Sequence, residues 1–267
     1  MSEGRPAGCI SRRPSGTPGD TAHFGYLTIP AREKARWVRR HFNVVAPRYD
    51  VLNTFLSFGL HHSWKRTAVR MLNLHPGNRV LDVCGGTADL ALLAVRDVGL
   101  SGRVVLYDIN RNMISVGRSK ARRRGVGAQL EYIQGDAENI SFPNESFDAA
   151  MVGFGIRNLT CLEQGLREMH RVLRPGGKMM CLEFSMPMAP VFRWLYDIYS
   201  FYVMPWGGKL FTGSKEAYTY LPESIRMFPL PDRLSEILRA VGFKSVRYRA
   251  LTNGIAFVHT GIRDARA

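Results

Sequence analysis

Several features are absent from this sequence of 267 residues. It contains no long uninterrupted apolar run, so we expect no transmembrane helix. Its cysteines form no C-x-x-C pair and have no histidine at metal-ligand spacing, so we predict no metal site. We expect the thiols to be reduced and buried, as in a cytoplasmic protein. The cysteines are Cys9, Cys84, Cys161 and Cys181.

Acidic residues are also scarce. The chain has 22 Asp and Glu against 37 Lys and Arg, a net charge of +15. Residues 1–30 contribute 3 − 2 = +1, because three arginines oppose Glu3 and Asp20. The other +14 therefore belongs to the remaining residues. A basic surface suits an anionic partner, either nucleic acid or the anionic leaflet of a membrane.

The beginning of the chain differs in composition from the rest. The first 20 residues contain four Gly, three Pro and three Ser and few apolar side chains, which is typical of disorder. We predict a disordered extension over residues 1–30, followed by a basic helix over 31–42. Residues 31–267 are long enough for one α/β domain with a buried core.

The stretch from Arg79 to Leu90 organises this domain. A β-branched run ends at Asp82, the chain turns through Gly85 and Gly86, and an apolar-periodic helix begins at Leu90. Such a strand–turn–helix unit binds nucleotide-like ligands in α/β sheets. Glycines have no Cβ, so the backbone can approach the ligand closely.

Two later strands are predicted to end at acidic residues. Residues 103–106 lead to Asp108 and Ile109, where a carboxylate can accept the hydroxyls of a ribose. Residues 129–134 lead to Asp136 and Ala137, where a carboxylate can accept from an adenine amino group.

The sequence has no G-x-G-x-x-G pattern, which disfavours NAD. The acidic Asp82 before the turn suits the cationic amino group of S-adenosylmethionine, which carries no pyrophosphate for helix amides to bind. These residues predict a methyltransferase that uses S-adenosylmethionine.

A fourth strand, residues 149–154, leads into Arg157 and Asn158. Because the C-terminal ends of such strands face the ligand crevice, we expect both side chains near the chemistry. The aromatic-rich residues 191–228 predict either ordinary core helices or a lid over an elongated apolar ligand, hinged at Gly207 and Gly208. A helix over 231–241 and strands over 243–250 and 254–259 predict a closing hairpin.

Two spaced patterns lie on either side of this core. The first is Tyr49-Asp50-x-x-Asn53-x-x-x-Ser57-x-x-x-His61-x-x-Trp64, and the second is Arg171-Val172-Leu173-Arg174-Pro175-Gly176-Gly177 running on to Leu182-Glu183-Phe184-Ser185. With the Gly-Gly-Thr turn and Phe154-Gly155-Ile156-Arg157-Asn158 between them, they resemble the ubiquinone/menaquinone biosynthesis C-methyltransferase family. The resemblance extends from about residue 37 to the end of the chain, and two long patterns in order are a specific signal.

The resemblance implies a class I S-adenosylmethionine methyltransferase. Its expected fold is a doubly wound, mostly parallel seven-stranded sheet with an antiparallel C-terminal hairpin, a helical N-terminal cap and a helical lid insertion at 191–228. It implies that Arg157 stabilises a developing phenolate, that Asn158 and Tyr49 orient the ring oxygens, and that His61 or a water acts as general base. The implied cofactor-binding residues are Asp82, Gly85, Gly86, Thr87, Asp108, Ile109, Asp136, Ala137 and Gly153.

The implied reaction is methyl transfer to a ring carbon of a prenylated quinol. Gly153 and residues 205–211 resemble the menaquinone branch, so demethylmenaquinol is the expected acceptor and the ubiquinone precursor is the alternative. We expect a cytoplasmic protein in peripheral contact with anionic membrane, compatible with a homo-oligomer and without a nucleic-acid partner. Two other classes stay open, an RNA methyltransferase, which the basic charge would suit, and a non-catalytic scaffold for quinone synthesis.

Overall fold

A seven-stranded sheet forms the centre of the computed structural model, which describes residues 21–200 and 216–265. A short hairpin, β1 (Thr21–Phe24) and β2 (Leu27–Pro30), precedes it. The strands of the sheet are β3 (Arg79–Val83), β4 (Arg103–Asp108), β5 (Leu130–Gln134), β6 (Phe147–Gly153), β7 (Leu173–Phe184), β8 (Phe243–Leu251) and β9 (Ala256–Arg263).

The strand order is β5-β4-β3-β6-β7-β9-β8. Strands β5, β4, β3, β6 and β7 run parallel, whereas β9 is antiparallel to both β7 and β8. The predicted doubly wound sheet with an antiparallel C-terminal hairpin is therefore confirmed. The order reverses direction between β3 and β6, which opens a crevice at the C-terminal ends of these strands.

Helices cover both faces of the sheet. Side chains alternate along β3, so Val80 packs with Trp64 and Leu90 on one face, while Leu81 packs with Leu166 on the other. Burial of each such side chain contributes about 1.5–3 kcal/mol before conformational entropy is subtracted. The helices are α1 (Ala31–Val45), α2 (Tyr49–Leu56), α3 (Leu60–Leu72), α4 (Asp89–Val98), α5 (Arg111–Arg123), α6 (Leu162–Val172), α7 (Pro190–Ile198), α8 (Glu216–Met227) and α9 (Pro231–Val241).

The expected disorder over residues 1–30 is wrong for residues 21–30, which form the β1–β2 hairpin. Ala22 and Ile29 pair across the hairpin and are buried, and Phe24 stacks on Tyr220 of α8 with ring centroids 4.0 Å apart. The two strands are too short for their alternation to be recognised in the sequence, and their partner lies almost 200 residues away. Residues 1–20 lie outside the described residues.

The predicted helical cap and lid lie at the C-terminal edge of the parallel strands. Helices α1 to α3 form the cap, and α7 and α8 occupy the predicted lid segment. Gly207 and Gly208, the expected hinge, lie outside the described residues. Among residues 21–200 and 216–265, no helix is both long and apolar enough to cross a membrane.

Candidate active site

Two adjoining cavities open at this edge of the sheet. The first, which we call the sheet cavity, lies between the turns that follow β3 to β6 and helix α1, and measures about 80 Å³. The second, the helical cavity, lies among α1, α2, α3, α7 and α8 and measures about 350 Å³. Phe42, Tyr49 and Phe154 line both cavities, so the two cavities are direct neighbours that share these three side chains.

Asp108 gives the sheet cavity its fixed carboxylate. Its Oδ2 accepts the backbone N–H of Gly86 at 2.9 Å, and its Oδ1 accepts the backbone N–H of Asn110 at 2.7 Å. Burial raises the pKa of Asp108 to about 6, although both hydrogen bonds act in the opposite direction. Further hydroxyl donors, such as those of a ribose, would stabilise this carboxylate.

The other predicted cofactor residues on the wall of the sheet cavity are Gly86, Ile109, Asp136, Ala137 and Gly153. Asp136 fixes the turn after β5, because its Oδ1 accepts the backbone N–H of Glu138 at 2.9 Å. A Cβ at Gly153 would lie 2.6 Å from Leu90 Cδ1, so a side chain there would require Leu90 to shift. Four separate turns thus contribute to one wall.

The structure places Asp82, Gly85 and Thr87 behind this wall, not among the lining residues. The Oδ2 of Asp82 accepts the backbone N–H of Ala91 at 3.0 Å, so the carboxyl group supports the first turn of α4. Burial raises the pKa of Asp82 to about 8, well above the usual range of a carboxyl group. Its other oxygen, Oδ1, is buried without a hydrogen-bond partner among the described residues, and its assignment to the cofactor stays a prediction.

Thr87 connects the glycine turn to the cap. Its hydroxyl donates to Asp50 Oδ1 at 2.6 Å, next in sequence to Tyr49. Lys120 Nζ lies 2.6 Å from both Asp50 Oδ2 and Asp89 Oδ1, and Lys65 Nζ lies 2.7 Å from Asp89. Burial opposes the ionisation of Asp89, but the two lysines together hold its pKa below the usual range. This network joins α2 and α3 to the core.

Helix α1 covers the sheet cavity. Ala35, Val38 and Phe42 line it, and Lys34 Nζ donates to the carbonyl of Leu159 at 2.6 Å. The amide of Asn110 also donates to the carbonyl of Arg39 at 3.1 Å and to Asn43 Oδ1 at 2.9 Å. The sheet cavity is smaller than the range of about 300–1,000 Å³ that is usual for ligand pockets, and α1 forms its cover.

The helical cavity is apolar over most of its wall. Its apolar lining includes Val45, Leu52, Leu56, Leu60, Trp64, Phe184, Phe192, Leu195, Leu221, Ile225 and Ile255. Phe154, at the junction with the sheet cavity, has a left-handed backbone (φ 57°) and stacks on Phe184 at 4.2 Å. A bulky residue in this conformation stores strain, which is common at functional sites.

Arg157 lies at the polar end of the helical cavity in a buried ion pair. Its Nη1 lies 2.8 Å from Glu183 Oε1 and also donates to the carbonyl of Phe154. Burial opposes the charge of Arg157, but Glu183 and neighbouring tyrosines raise its pKa above the ordinary value. Glu183, which belongs to the second spaced pattern but was given no role there, therefore balances the cation that we had assigned to the acceptor.

Asn158 lies on the other side of the junction. It lines the sheet cavity, and its Oδ1 accepts the hydroxyl of Tyr220 at 2.6 Å. Tyr49 faces both cavities from the start of α2. Burial raises the pKa of Tyr49, so the phenol stays protonated near pH 7. The four residues expected to be catalytic are thus brought together, but Arg157 and Asn158 face different ligand spaces.

His61 lines the helical cavity as a neutral imidazole. Its Nε2 lies 3.2 Å from the hydroxyl of Thr54, while its buried Nδ1 has no hydrogen-bond partner among the described residues. Burial, with Lys65 and His62, lowers the pKa of His61 to about 3. Such a group can hydrogen-bond a ligand but is a weak base.

Sequence reasoning missed His41 and Tyr220, which both line the helical cavity. Burial, with the charge of Arg157, lowers the pKa of His41 to about 4, so this imidazole is also neutral. His41 follows a basic stretch of α1 that resembles a solvated face, and nothing in the sequence places Tyr220 beside it.

Among residues 21–200 and 216–265, no group of His, Cys, Asp and Glu side chains could hold a metal ion. Cys84 and Cys181 are free thiols.

Comparisons with known proteins agree with this geometry. The sequence model of the ubiE/COQ5 methyltransferase family matches residues 30–263. The chain is 46% identical over 243 residues to the ubiquinone/menaquinone biosynthesis C-methyltransferase UbiE of Pseudomonas entomophila (strain L48), covering 91% of this chain and 95% of that protein. The protein of the same name from Azotobacter vinelandii (strain DJ / ATCC BAA-1303) is 46% identical, with 91% and 96% covered.

Two solved structures support the fold. The [4+2]-cyclase SpnF has a TM-score of 0.66 at 18% identity and covers 87% of this chain and 97% of its own. A SAM dependent methyltransferase from Aquifex aeolicus has a TM-score of 0.55 at 16% identity, with 74% and 88% covered. The chain therefore belongs to the ubiE/COQ5 methyltransferase family and is an enzyme that uses S-adenosylmethionine as its methyl donor.

Proposed function

We propose that this enzyme methylates a ring carbon of a prenylated quinol in ubiquinone/menaquinone biosynthesis. The observation that carries the proposal is the helical cavity, which combines long apolar walls with a polar end beside the sheet cavity. A prenyl chain matches the apolar walls, and a quinol ring matches the polar end. The names of the relatives point to the same substrates.

S-adenosylmethionine fits the residues of the sheet cavity. Asp108 offers a buried carboxylate to the ribose hydroxyls, and Asp136 with Ala137 offers an acceptor and room for the adenine. When bound, the cofactor supplies a methyl group that its sulfonium charge makes electrophilic. The protein must hold the methyl donor and the acceptor carbon in line. Phe42, Tyr49 and Phe154 border both cavities, so they would contact both ligands where the two meet.

Arg157 would favour the phenolate form of the quinol. Its positive charge lowers the pKa values of the phenols of Tyr49, Tyr196 and Tyr220, although burial raises each of them more strongly. A quinol hydroxyl at the same end of the cavity experiences the same field. A phenolate directs electron density to the ring carbon that takes the methyl group.

The hydroxyl releases its proton to bulk solvent at the ambient pH and not to His61. After methyl transfer the ring carbon loses its own proton and the oxygen is reprotonated, so the net products are the methylated quinol, S-adenosylhomocysteine and one proton. A phenol has a pKa of about 10, whereas the pKa of His61 is about 3. Transfer to His61 would therefore span about 7 pKa units, whereas release to solvent at pH 7 spans about 3, at roughly 1.4 kcal/mol per unit. His61 and Tyr49 instead orient the ring oxygens by hydrogen bonds.

The test incubates purified enzyme and S-adenosylmethionine with each of two reduced acceptors in turn. One is a demethylmenaquinol and the other is the corresponding ubiquinone precursor, both with short prenyl chains. Gly153 makes the naphthoquinol our first choice, and the relatives named for both pathways make the benzoquinol the second. Mass spectrometry should find one added methyl group on the ring and an equal amount of S-adenosylhomocysteine.

The same reaction is run with total RNA and methyl-labelled cofactor. Label in RNA but in neither quinol would replace the proposal by an RNA methyltransferase. Calorimetry monitors cofactor binding in parallel, so that cofactor uptake without methylation of any acceptor would indicate a non-catalytic scaffold. Either result would overturn quinol methylation.

A further inference from the structure

Large apolar side chains are exposed on the cap and in and before α7, and four of them also line the helical cavity. We call this surface the cavity rim. Phe58 is 79% exposed, Val191 is 68%, Trp194 is 63% and Phe192 is 54%. Single exposed apolar residues are normal, but a contiguous group marks an interaction surface. The rim consists of Val51, Phe55, Phe58 and Leu60 from the cap, and Met188, Val191, Phe192, Trp194, Leu195 and Ile198 in and before α7.

Direct contacts join the two halves of the rim. The rings of Phe58 and Tyr199 lie 5.9 Å apart, and the Tyr199 hydroxyl donates to the carbonyl of Leu56 at 2.7 Å. Phe58 and Leu60 from the cap, and Phe192 and Leu195 from α7, also line the helical cavity. The exposed surface and the cavity wall are therefore continuous.

One rim residue, Phe58, is exposed with a strained backbone conformation. Phe58 has φ 49°, a left-handed conformation that bulky residues rarely adopt. In α7, Tyr196 is the buried side chain, while the neighbouring apolar residues are exposed. The contact with Tyr199 leaves the Phe58 side chain 79% exposed. Packing among the described residues also leaves the apolar residues of α7 exposed. A partner that covers the rim would account for both.

The charges near the rim favour an anionic partner. Arg193 lies on α7 among the rim residues, and Arg66 lies on α3, six residues after Leu60; both are exposed. The acid of α7, Asp197, is paired with Arg226. Trp and Phe side chains beside arginines are typical of segments that enter the interface of a bilayer.

We propose that the cavity rim docks this enzyme onto an anionic lipid bilayer, so that the mouth of the helical cavity faces the acyl chains. The choice of a bilayer rests in part on the proposed function, because a prenylated quinol resides in the membrane and has to enter the cavity through the rim. No helix crosses the membrane in this arrangement. The apolar rim enters the headgroup region, and the basic residues contact lipid phosphates.

The experiment measures flotation of the full chain with vesicles that contain no quinone. The vesicles are phosphatidylcholine alone, or about three parts phosphatidylcholine to one part phosphatidylglycerol. We expect binding to the mixed vesicles and about tenfold weaker binding for the double variant V191Q/W194Q, which loses two large apolar groups. Neither residue lines a cavity.

The matched control is Leu100→Gln. Leu100 is 85% exposed and lies before β4, at the end of the sheet opposite the cavities. It should bind vesicles as the wild type does. V191Q/W194Q should retain wild-type turnover on a water-soluble acceptor with a minimal prenyl chain, but lose about tenfold in kcat/KM when a long-chain acceptor is embedded in vesicles.

Tryptophan fluorescence locates the inserted surface. Brominated lipids quench only indoles that reach the bilayer, and the described tryptophans are the buried Trp64, the partly exposed Trp37 and the rim residue Trp194. Wild type should be quenched, whereas Trp194→Phe should bind vesicles normally and lose most of the quenching. Both proteins carry Trp206→Phe as background, because Trp206 lies outside the described residues. Undiminished quenching in Trp194→Phe would then show that another surface inserts.

Other outcomes also overturn the proposal. Equal flotation of V191Q/W194Q and wild type, with binding abolished at about 0.5 M NaCl, would assign docking to surface charge alone. No flotation, with a dimer that V191Q/W194Q dissociates, would assign the rim to a second copy of the chain. Flotation uses no substrate, so its result stands whether or not quinol methylation is found.

Discussion

The sheet cavity and the helical cavity are built in different ways. Backbone groups fix the polar residues of the sheet cavity, as when Gly86 and Asn110 donate their N–H groups to Asp108. Side chains from distant segments fix those of the helical cavity, as when Arg157 pairs with Glu183. The first site is rigid because its turns belong to the sheet. The second depends on how the helices are packed.

This difference in construction suits the two cavities to different ligands. Turns anchored in the sheet suit a cofactor whose sugar and base must always lie in the same place. A cavity of apolar side chains, with one buried ion pair at its end, suits a long apolar acceptor that carries a single reactive ring. Variants in one cavity should therefore leave binding in the other nearly unchanged.

The largest expected effect is that of Arg157→Ala in the helical cavity. We expect turnover to fall about 1,000-fold, or about 4 kcal/mol in the activation barrier, because the charge that favours the phenolate is lost. Affinity for S-adenosylmethionine should stay within a few-fold. Kinetics at saturating cofactor, together with calorimetry of cofactor binding, would check this.

Arg157→Ala also leaves Glu183 buried without its partner, which costs about 3–5 kcal/mol of unfolding free energy. Glu183→Gln is the matched control, because it breaks the same ion pair and keeps the cation. It should be destabilised similarly but retain turnover within about tenfold of wild type. If both variants lose turnover equally, the effect belongs to folding, and the electrostatic role of Arg157 is wrong.

Asp108→Asn should have the next largest effect, confined to the sheet cavity. An amide has one acceptor oxygen, so it cannot accept both backbone N–H groups and ribose hydroxyls as the carboxylate does. We expect the dissociation constant of S-adenosylmethionine to rise about 10- to 100-fold, equivalent to about 1.4–2.8 kcal/mol, with the acceptor KM nearly unchanged. Glu131→Gln, an exposed carboxylate on β5, should change neither quantity.

The pH dependence of wild type tests the same group without a substitution. The pKa of Asp108 is raised to about 6, so the free enzyme loses the carboxylate as the pH falls below about 6. Cofactor affinity should therefore weaken below this pH, and Asp108→Asn should show no such change. A pH-independent affinity in wild type would contradict the assignment of Asp108 to the ribose.

Thr87→Val should have the smallest effect and tests the connection between the cavities. It removes the hydroxyl that donates to Asp50. The first turn of α2, which begins at Tyr49, should therefore be held less firmly. We expect the acceptor KM to rise about 3- to 10-fold, the value of one hydrogen bond, with cofactor affinity within twofold. The reverse pattern would restore the sequence-based assignment of Thr87 to the cofactor.

The sheet cavity was largely predictable from the sequence. The acids after β4 and β5 follow short β-branched strands, and parallel strands end at one edge, so Asp108 and Asp136 had to lie near each other. The direction of a side chain was less predictable. Asp82 comes shortly before the glycine turn, yet its carboxyl group contacts the first turn of α4. Successive side chains of a strand point to opposite faces of the sheet, so the position of a residue along the strand decides which face it meets.

The polar end of the helical cavity was only partly predictable. Spaced patterns brought Tyr49, His61 and Arg157 into the candidate set, but not their environment. Glu183 is 26 residues from Arg157, and Tyr220 is 62 residues from Asn158. Such partners come into contact only when separate helices and strands pack together. A local sequence pattern does not predict these contacts.

After residue 30, the sequence by itself determined the order of strands and helices, the glycine turn and the acids at the strand ends, because these depend on local backbone preference and side-chain alternation. Only the tertiary structure decided that His61 is a neutral, weakly basic imidazole, that Arg157 is paired with Glu183, and that Thr87 holds the cap. Burial and the proximity of distant charges decide these properties, and both arise only when the chain has folded.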